Sequence, residues 1–360
     1  MTTKRSILIF PINALAAIEY SKIARELGFQ VIEASSEFDV DIIARGNVVH
    51  LPYVSESSFN SALENLLQQE GIHLIYTPHP AVWNHLTELS QHATNSTQFS
   101  VCNPSPFKSE WNSYEEAYNF GSKCMEDNRL VQTKKKILPA HYYANLHRNY
   151  HQIPGQCDDQ KLILLAQVAR QAPVGDIVEI GSLYGRSAYA LAWLSKQYSI
   201  GSLICIDPWR IASISDQGSD ATLMNSIVDS YDWDKVFAAF IVSVAGLDNV
   251  NYLREPSVQA KQRYLQAAAS AGEITSAELG TTKINGRISV LHIDGNHKYE
   301  EVKQDVEQWL PMIVDGGWLL LDDYIWAFGD GPKRVGDELL TTLKFKQSYI
   351  IGDTLCIQLK

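Results

Sequence analysis

The stretch Asp176-Ile-Val-Glu-Ile-Gly-Ser-Leu-Tyr-Gly-Arg-Ser187 decides the fold of the larger part of this chain. Asp176 to Ile180 reads as a strand that runs into a turn carrying Gly181 and Gly185, and a helix begins near Arg186. A strand, a glycine turn and a helix N-terminus together bring backbone close to a ligand and point N–H groups outward. The spacing G-x-x-x-G is not the G-x-G-x-x-G of dinucleotide enzymes, and the residue entering it is Glu179. That carboxylate would repel a pyrophosphate, whereas it could hold the ammonium of an amino-acid moiety directly or through a water. A second strand, Ser202 to Ile206, ends in Asp207, where an acid takes ribose hydroxyls in Rossmann-type sites. A nucleoside carrying an amino acid satisfies both ends.

Further on, Val290-Leu-His-Ile-Asp294-Gly-Asn-His297 is another strand ending in an acid, followed by a helix from Tyr299 to Leu310. The turn Asp315-Gly316-Gly317 leads to the strand Trp318 to Leu321, which ends in Asp322-Asp323-Tyr324. Open α/β sheets bind ligands at these C-terminal strand ends. Three convergent carboxylates repel one another unless a divalent cation neutralises them, and an all-oxygen set suits magnesium or calcium. His292, inside its strand, reads as a core histidine. Tyr299 and Glu300 start a helix, with Tyr299 also a candidate for the acceptor pocket. Asp294 and Asp322 also have a plainer reading, as caps of the elements that follow them.

Glu179-Ile-Gly-Ser-Leu-Tyr-Gly-Arg-Ser187 resembles the E-I-G-x-x-x-G-x-S segment of the class I S-adenosylmethionine methyltransferases, a resemblance that covers Ile153 to the C-terminus. It implies a Rossmann-like α/β methyltransferase sheet with helices on both faces. It also implies S-adenosylmethionine held by Glu179, Gly181, Ser182, Gly185, Ser187 and Asp207, with Asp294 close by. The metal-dependent O-methyltransferases of the catechol and macrolide-sugar types carry acids at the ends of the same two strands. By that likeness Asp294, Asp322 and Asp323 would hold a divalent metal, Mg2+ in the first instance. His297, three residues after the first acid, would be the catalytic base, as in the sugar type. Ser257, after the strand-like run Val250 to Leu253, falls where the family often contacts adenosine. Gly331-Pro-Lys-Arg-Val-Gly-Asp337 resembles the segment after the acid pair.

At 360 residues, two domains are expected. Residues 1–100 alternate strands (6–10, 30–34, 48–51, 73–76) with helices (14–27, 58–70) and read as a smaller Rossmann-like α/β domain. Through Ile7-Leu-Ile-Phe10, Glu33-Ala-Ser-Ser36 and Gly71-Ile-His-Leu-Ile75 it is similar to the domain preceding the catalytic core of ATP-grasp ligases. Its first turn, from Pro11, lacks the glycines of a dinucleotide fingerprint, and no site is assigned there. Residues 101–156 read as a partly helical connector, with Lys134-Lys135-Lys136 as a solvated stretch, and 157–360 as the methyltransferase domain.

The formal charge of −11 argues against nucleic acid or an anionic membrane as partner. The five scattered cysteines suggest neither a zinc site nor a disulfide framework, and the apolar run Ile7 to Phe10 is too brief for a signal-peptide core. A cytoplasmic protein is expected. Ile211 to Val250 and Glu255 to Gly286 exceed a minimal domain and are expected to form lids or interfaces, the latter compatible with a homo-oligomer. The leading expectation is metal-assisted O-methylation of a small hydroxylated acceptor, a sugar or specialised metabolite. A metal-independent N-methyltransferase and a non-catalytic cofactor-binding module within an assembly stand beside it.

Overall fold

Short β-branched runs alternating with amphipathic helices build both parts of the chain. A computed structural model describes residues 5–92, 98–126, 135–210 and 216–360. They divide into two units, Met1–Glu115 and Glu116–Lys360.

In the first unit, strands β1 (Ser6–Ile9), β2 (Gln30–Ser35), β3 (Val48–His50), β4 (Ile72–Tyr76) and β5 (Ser100–Val101) form one parallel sheet in the order β3-β2-β1-β4-β5. Side chains alternate between its faces. Leu8 and Phe10 pack with Phe59, Leu63 and Leu67, while Ile9 and Ile12 pack with Ala17 and Ile42. The helix Val40–Arg45 and strand β5 escaped the sequence reading because six and two residues are too few for a periodic signal. Glu33 is buried in this unit, where burial pushes its carboxyl up. Hydrogen bonds from Arg45 and Ser21 and the charge of Arg25 outweigh that and hold it below the ordinary range.

The second unit is a seven-stranded sheet with helices on both faces. Its strands are β6 (Asp176–Ile180), β7 (Leu203–Ile206), β8 (Val250–Leu253), β11 (Ile288–Ile293), β12 (Ile313–Leu321), β13 (Phe345–Ile351) and β14 (Thr354–Leu359), and the hairpin β9 (Glu273–Ser276) and β10 (Gly280–Lys283) lies apart. The order is β13-β14-β12-β11-β6-β7-β8, parallel except for β14, which runs antiparallel to β12 and β13. Strand parity divides the core. Ile177, Cys205, Val290 and Leu320 face the helices Asp159–Gln171 and Arg186–Tyr198, whereas Val178, Ile204, Leu291 and Leu319 face Ser257–Ala269 and Tyr299–Trp309. The strand order reverses at β6, so its C-terminal end opens a crevice.

The stretch read as a connector is in part core. Tyr143, Leu146 and Tyr150 of the helix Ala140–Gln152 share one face at spacings of three and four, and they enter the same buried cluster as Ile177. The Tyr143 and Tyr198 hydroxyls are 2.8 Å apart. Of the basic run, Lys134 lies outside the described residues. Lys135 is not simply solvated: its Nζ donates to the carbonyl of Ala172 at 2.6 Å, at the C-terminus of the helix Asp159–Gln171. In the long segment 211–250, residues 211–215 lie outside the described residues, and the rest forms the helices Thr222–Asp229 and Trp233–Val244. The hairpin β9–β10 docks on β8 through Asn251, whose Nδ2 donates to the carbonyls of Ile274 and Gly280. No helix among the described residues is long and apolar enough to cross a membrane.

Candidate active site

The C-terminal ends of β6, β7, β11 and β12 surround a cavity of about 500 Å³, within the range of small-molecule sites. Gly181, Ser182 and Asp207 line one part of it, and Asp294, His297 and Asp323 another.

The turn after β6 is shaped first by packing. Gly181 has φ +84°, and a Cβ there would stand 2.0 Å from the carbonyl oxygen of Asp294, so only glycine lets the ends of β6 and β11 approach. Gly185, at φ +85°, caps the helix Arg186–Tyr198, and a Cβ there would press on the Phe240 ring at 3.0 Å. Asp207 clasps this turn. Its Oδ2 accepts from the backbone N–H groups of Ser182 and Leu183, both at 3.1 Å, and its Oδ1 from that of Trp209 at 2.7 Å. Burial pushes the Asp207 carboxyl up to about 6 against the pull of those three donors. Leu183 (φ 45°), Trp209 (φ 41°) and Asp323 (φ 52°) hold left-handed backbone around this crevice, a conformation costing each about 1–3 kcal/mol. Two of these three residues donate to Asp207, which shows what holds them there. Ser187, in the first helical turn, also lines the cavity.

Glu179, expected to hold an ammonium directly or through a water, lies behind the turn. Its side chain is fully buried and lies outside the cavity wall, with Oε2 accepting from Ser182 Oγ at 2.6 Å and Oε1 lying 3.0 Å from His292 Nδ1. Strand parity explains this, because residue 179 falls beside Ile177 on the face covered by the helix Asp159–Gln171. Glu179 supports the turn through Ser182 and would reach an ammonium only by exchanging that hydrogen bond.

The acid cluster contains a cation absent from the sequence reading. Lys161, 3% exposed, lies on the inner face of the helix Asp159–Gln171 and pairs with Asp322 Oδ1. Thr354 Oγ1 is 2.9 Å from Lys161 Nζ and 2.5 Å from the same Asp322 oxygen. Burial alone would lower the Lys161 ammonium, but Asp322 and Asp294 more than reverse that and leave it raised. Burial would raise Asp322, yet Lys161 and His292 drive it well below the ordinary carboxylate range. Asp294 goes the other way, raised well above its usual value by burial and by the charge of Asp322. Burial and mutual repulsion thus push the two neighbouring carboxyls in opposite directions.

Two overlapping groups present ligand atoms within 4.8 Å of one another, His292 with Asp294 and Asp322, and Asp294 with His297 and Asp323. The three acids thus meet around Asp294. His297 Nε2 is 2.8 Å from Asp323 Oδ2, an ion-pair approach without hydrogen-bond alignment, and neither ring nitrogen of His297 has a hydrogen-bond partner. Trp326 packs against this ring at 4.3 Å, and the backbone N–H of His297 donates to Gln217 Oε1 at 2.9 Å. Gln217 and Asp216, just after the undescribed 211–215, bind the 296–298 turn over the cavity, with Asn296 Nδ2 donating to the Asp216 carbonyl at 2.9 Å. His292, expected to be a satisfied core histidine, is satisfied on one side only. Its Nε2 has no hydrogen bond and lies 3.8 Å from Asp322 Oδ2.

Other wall residues were missed or only touched. Asp353 adds a fourth carboxylate, and Asp305 accepts from Ser257 Oγ at the edge reached by the helix Ser257–Ala269. Tyr299 does not line the cavity, and its hydroxyl donates to Glu338 at 2.7 Å. A polar residue inside an amphipathic stripe was the available signal for Lys161: it sits beside Leu162, Leu164 and Leu165, yet is as buried as they are.

Residues 178–324 match a family model described as Methyltransferase domain. No curated protein matches the chain. Among solved structures, the O-methyltransferase NovP shares 15% identity, covering 69% of this chain and 99% of its own, with a TM-score of 0.42. An O-methyltransferase from Bacillus cereus in complex with SAH shares 12%, covering 78% of this chain and all of its own, at 0.33. Such distant likeness says nothing about which acceptor this chain uses. The matched residues run from β6 past the end of β12 and so span the strand ends that form the cavity.

Proposed function

We propose that the second unit transfers a methyl group from S-adenosylmethionine to a hydroxyl of a small acceptor, a sugar or a specialised metabolite. The observation that carries this reading is the single cavity shared by the glycine turn with Asp207 and by the cluster of Asp294, His297 and Asp323. A nucleoside at one end and a reacting oxygen at the other then occupy one enclosed space. Gly181, Ser182, Ser187 and Asp207 would line the cofactor end, with Gly185 shaping the turn behind them and Glu179 acting through Ser182. In the reaction the acceptor oxygen attacks the sulfonium methyl in line. The new O–CH3 bond forms as S–CH3 breaks, sulfur keeps the electron pair, and the hydroxyl proton passes to His297 Nε2. Asp323, already 2.8 Å from that nitrogen, would steady the imidazolium.

Asp294, Asp322 and Asp323 would hold a divalent ion of the magnesium class. The fit rests on the oxygen donors around Asp294. Such an ion would lower the pKa of the acceptor hydroxyl. Lys161 favours a second reading. An ammonium already balances Asp322, so the remaining cluster needs less added charge than three bare carboxylates, and chelation would leave turnover intact in that case.

Calorimetry of S-adenosylhomocysteine binding together with a labelled-methyl assay tests the function. Asp294→Asn and His297→Gln are expected to retain cofactor affinity within a few fold while turnover falls by about 10²–10⁴, the contribution of a general base. Failure of the pure protein to bind the cofactor with or without magnesium would refute the proposal.

A further inference from the structure

Away from the cavity, His147 and His151 stand four residues apart on one face of the helix Ala140–Gln152, and the next helix opens at Asp159. Both Nε2 atoms converge on a single oxygen, Asp159 Oδ1, at 3.0 and 2.7 Å, and the imidazole rings are 4.4 Å apart. The ligating atoms of all three residues lie within 4.8 Å of one another. His147 is packed on the Phe120 ring at 4.4 Å, which holds its orientation.

We infer that His147, His151 and Asp159 form a binding site for a zinc-class transition-metal ion, separate from the cavity and independent of the function proposed above. Two imidazoles with one carboxylate suit zinc, cobalt, nickel or copper rather than magnesium or calcium. Bonds of about 2.0–2.1 Å in a tetrahedron set neighbouring ligand atoms roughly 3.3 Å apart. The present separations of 3.0 and 2.7 Å need to open by only a few tenths of an ångström. The side chains of His151 and Asp159, 38% and 52% exposed, are free to make that adjustment, and water fills the fourth position. The ion would join two helices across the loop 153–158. That loop lines the cavity through Pro154 to Asp158 and is held on its other side by Arg186, which donates to the carbonyls of Ile153 at 2.6 Å and Cys157 at 2.9 Å.

The test is a zinc titration of the full chain against a chromogenic chelator, repeated with cobalt for its visible absorption. Asp294→Asn/Asp323→Asn is included so that zinc bound in the cavity is recognised. The wild type and the cavity variant should share one zinc site, and His151→Gln and Asp159→Asn should each weaken it by more than about tenfold, the lower range for losing even an outer-shell partner. His151 is partly exposed, so its variant should keep the wild-type helical signal and metal-free Tm. Zinc affinity within twofold of wild type in both His151→Gln and Asp159→Asn, or loss of all zinc binding in the cavity variant, would overturn the inference.

Discussion

Replacing Lys161 by methionine removes the ammonium that pairs with Asp322 and leaves a buried carboxylate beside Asp294, with Thr354 Oγ1 still donating to it. Lys161 is 3% exposed and Asp322 7% exposed, so water replaces little of the lost contact. Breaking such a pair from one side costs about 3–5 kcal/mol, mostly the penalty of the stranded charge. For a unit of this size each kcal/mol moves Tm by about 2–4 °C, so the melting transition should fall by roughly 6–20 °C. The informative comparison is Lys161→Met/Asp322→Asn, which removes the charge as well as its partner. If the stranded carboxylate is the cause, the double variant recovers more than half of the loss. Urea and thermal melts followed by circular dichroism would measure both, fitting the two units as separate transitions. Asp322 is held below its unfolded pKa, so its stabilisation is complete above that unfolded value and disappears as pH falls through the depressed folded one. In Lys161→Met, burial without the ammonium raises the same carboxyl, so the deficit should be largest at high pH and shrink as pH falls through the variant's raised carboxyl range. A single variant within 1 kcal/mol of wild type, or a double variant no better than the single, would refute the account.

Two further predictions concern the turn and the cavity edge. Gly181→Ala should destabilise the second unit by roughly 2–6 kcal/mol, summing left-handed backbone strain and overpacking against the Asp294 carbonyl; a loss below 1 kcal/mol in urea melts would count against the packing role. Asp305 is pushed up to about 6 by burial, so between the unfolded carboxylate pKa and pH 6 the folded state holds more protons and stability falls as pH rises. Asp305→Asn, which can still accept from Ser257, should gain stability relative to wild type over that window, and a pH-independent difference between the two would contradict it.

The strand-end acids were legible because they sit where apolar runs stop, and two such runs, 288–293 and 313–321, deliver Asp294 and Asp322 to one edge of the sheet. The glycine turn was legible for the same reason. What the turn's residues do was not. Whether Glu179 points into the cavity or behind it depends on strand parity against its neighbours, and β6 is buried on both faces, so no polar alternation marks the outward side. Nor does local pattern show that Asp207 spends its acceptors on the turn, or that Gly181 is demanded by a backbone 113 residues away, at Asp294.

Local sequence, then, determined the α/β class of both units, most of their central strands and the group of acids at the strand ends, because these follow from hydrophobic period and turn chemistry within about a dozen residues. Tertiary structure alone decided the electrostatics of that group. Lys161 is 161 positions away from Asp322 along the chain and reaches it only when its helix packs on the sheet, and burial there drives two like carboxyls in opposite directions, Asp294 up and Asp322 down.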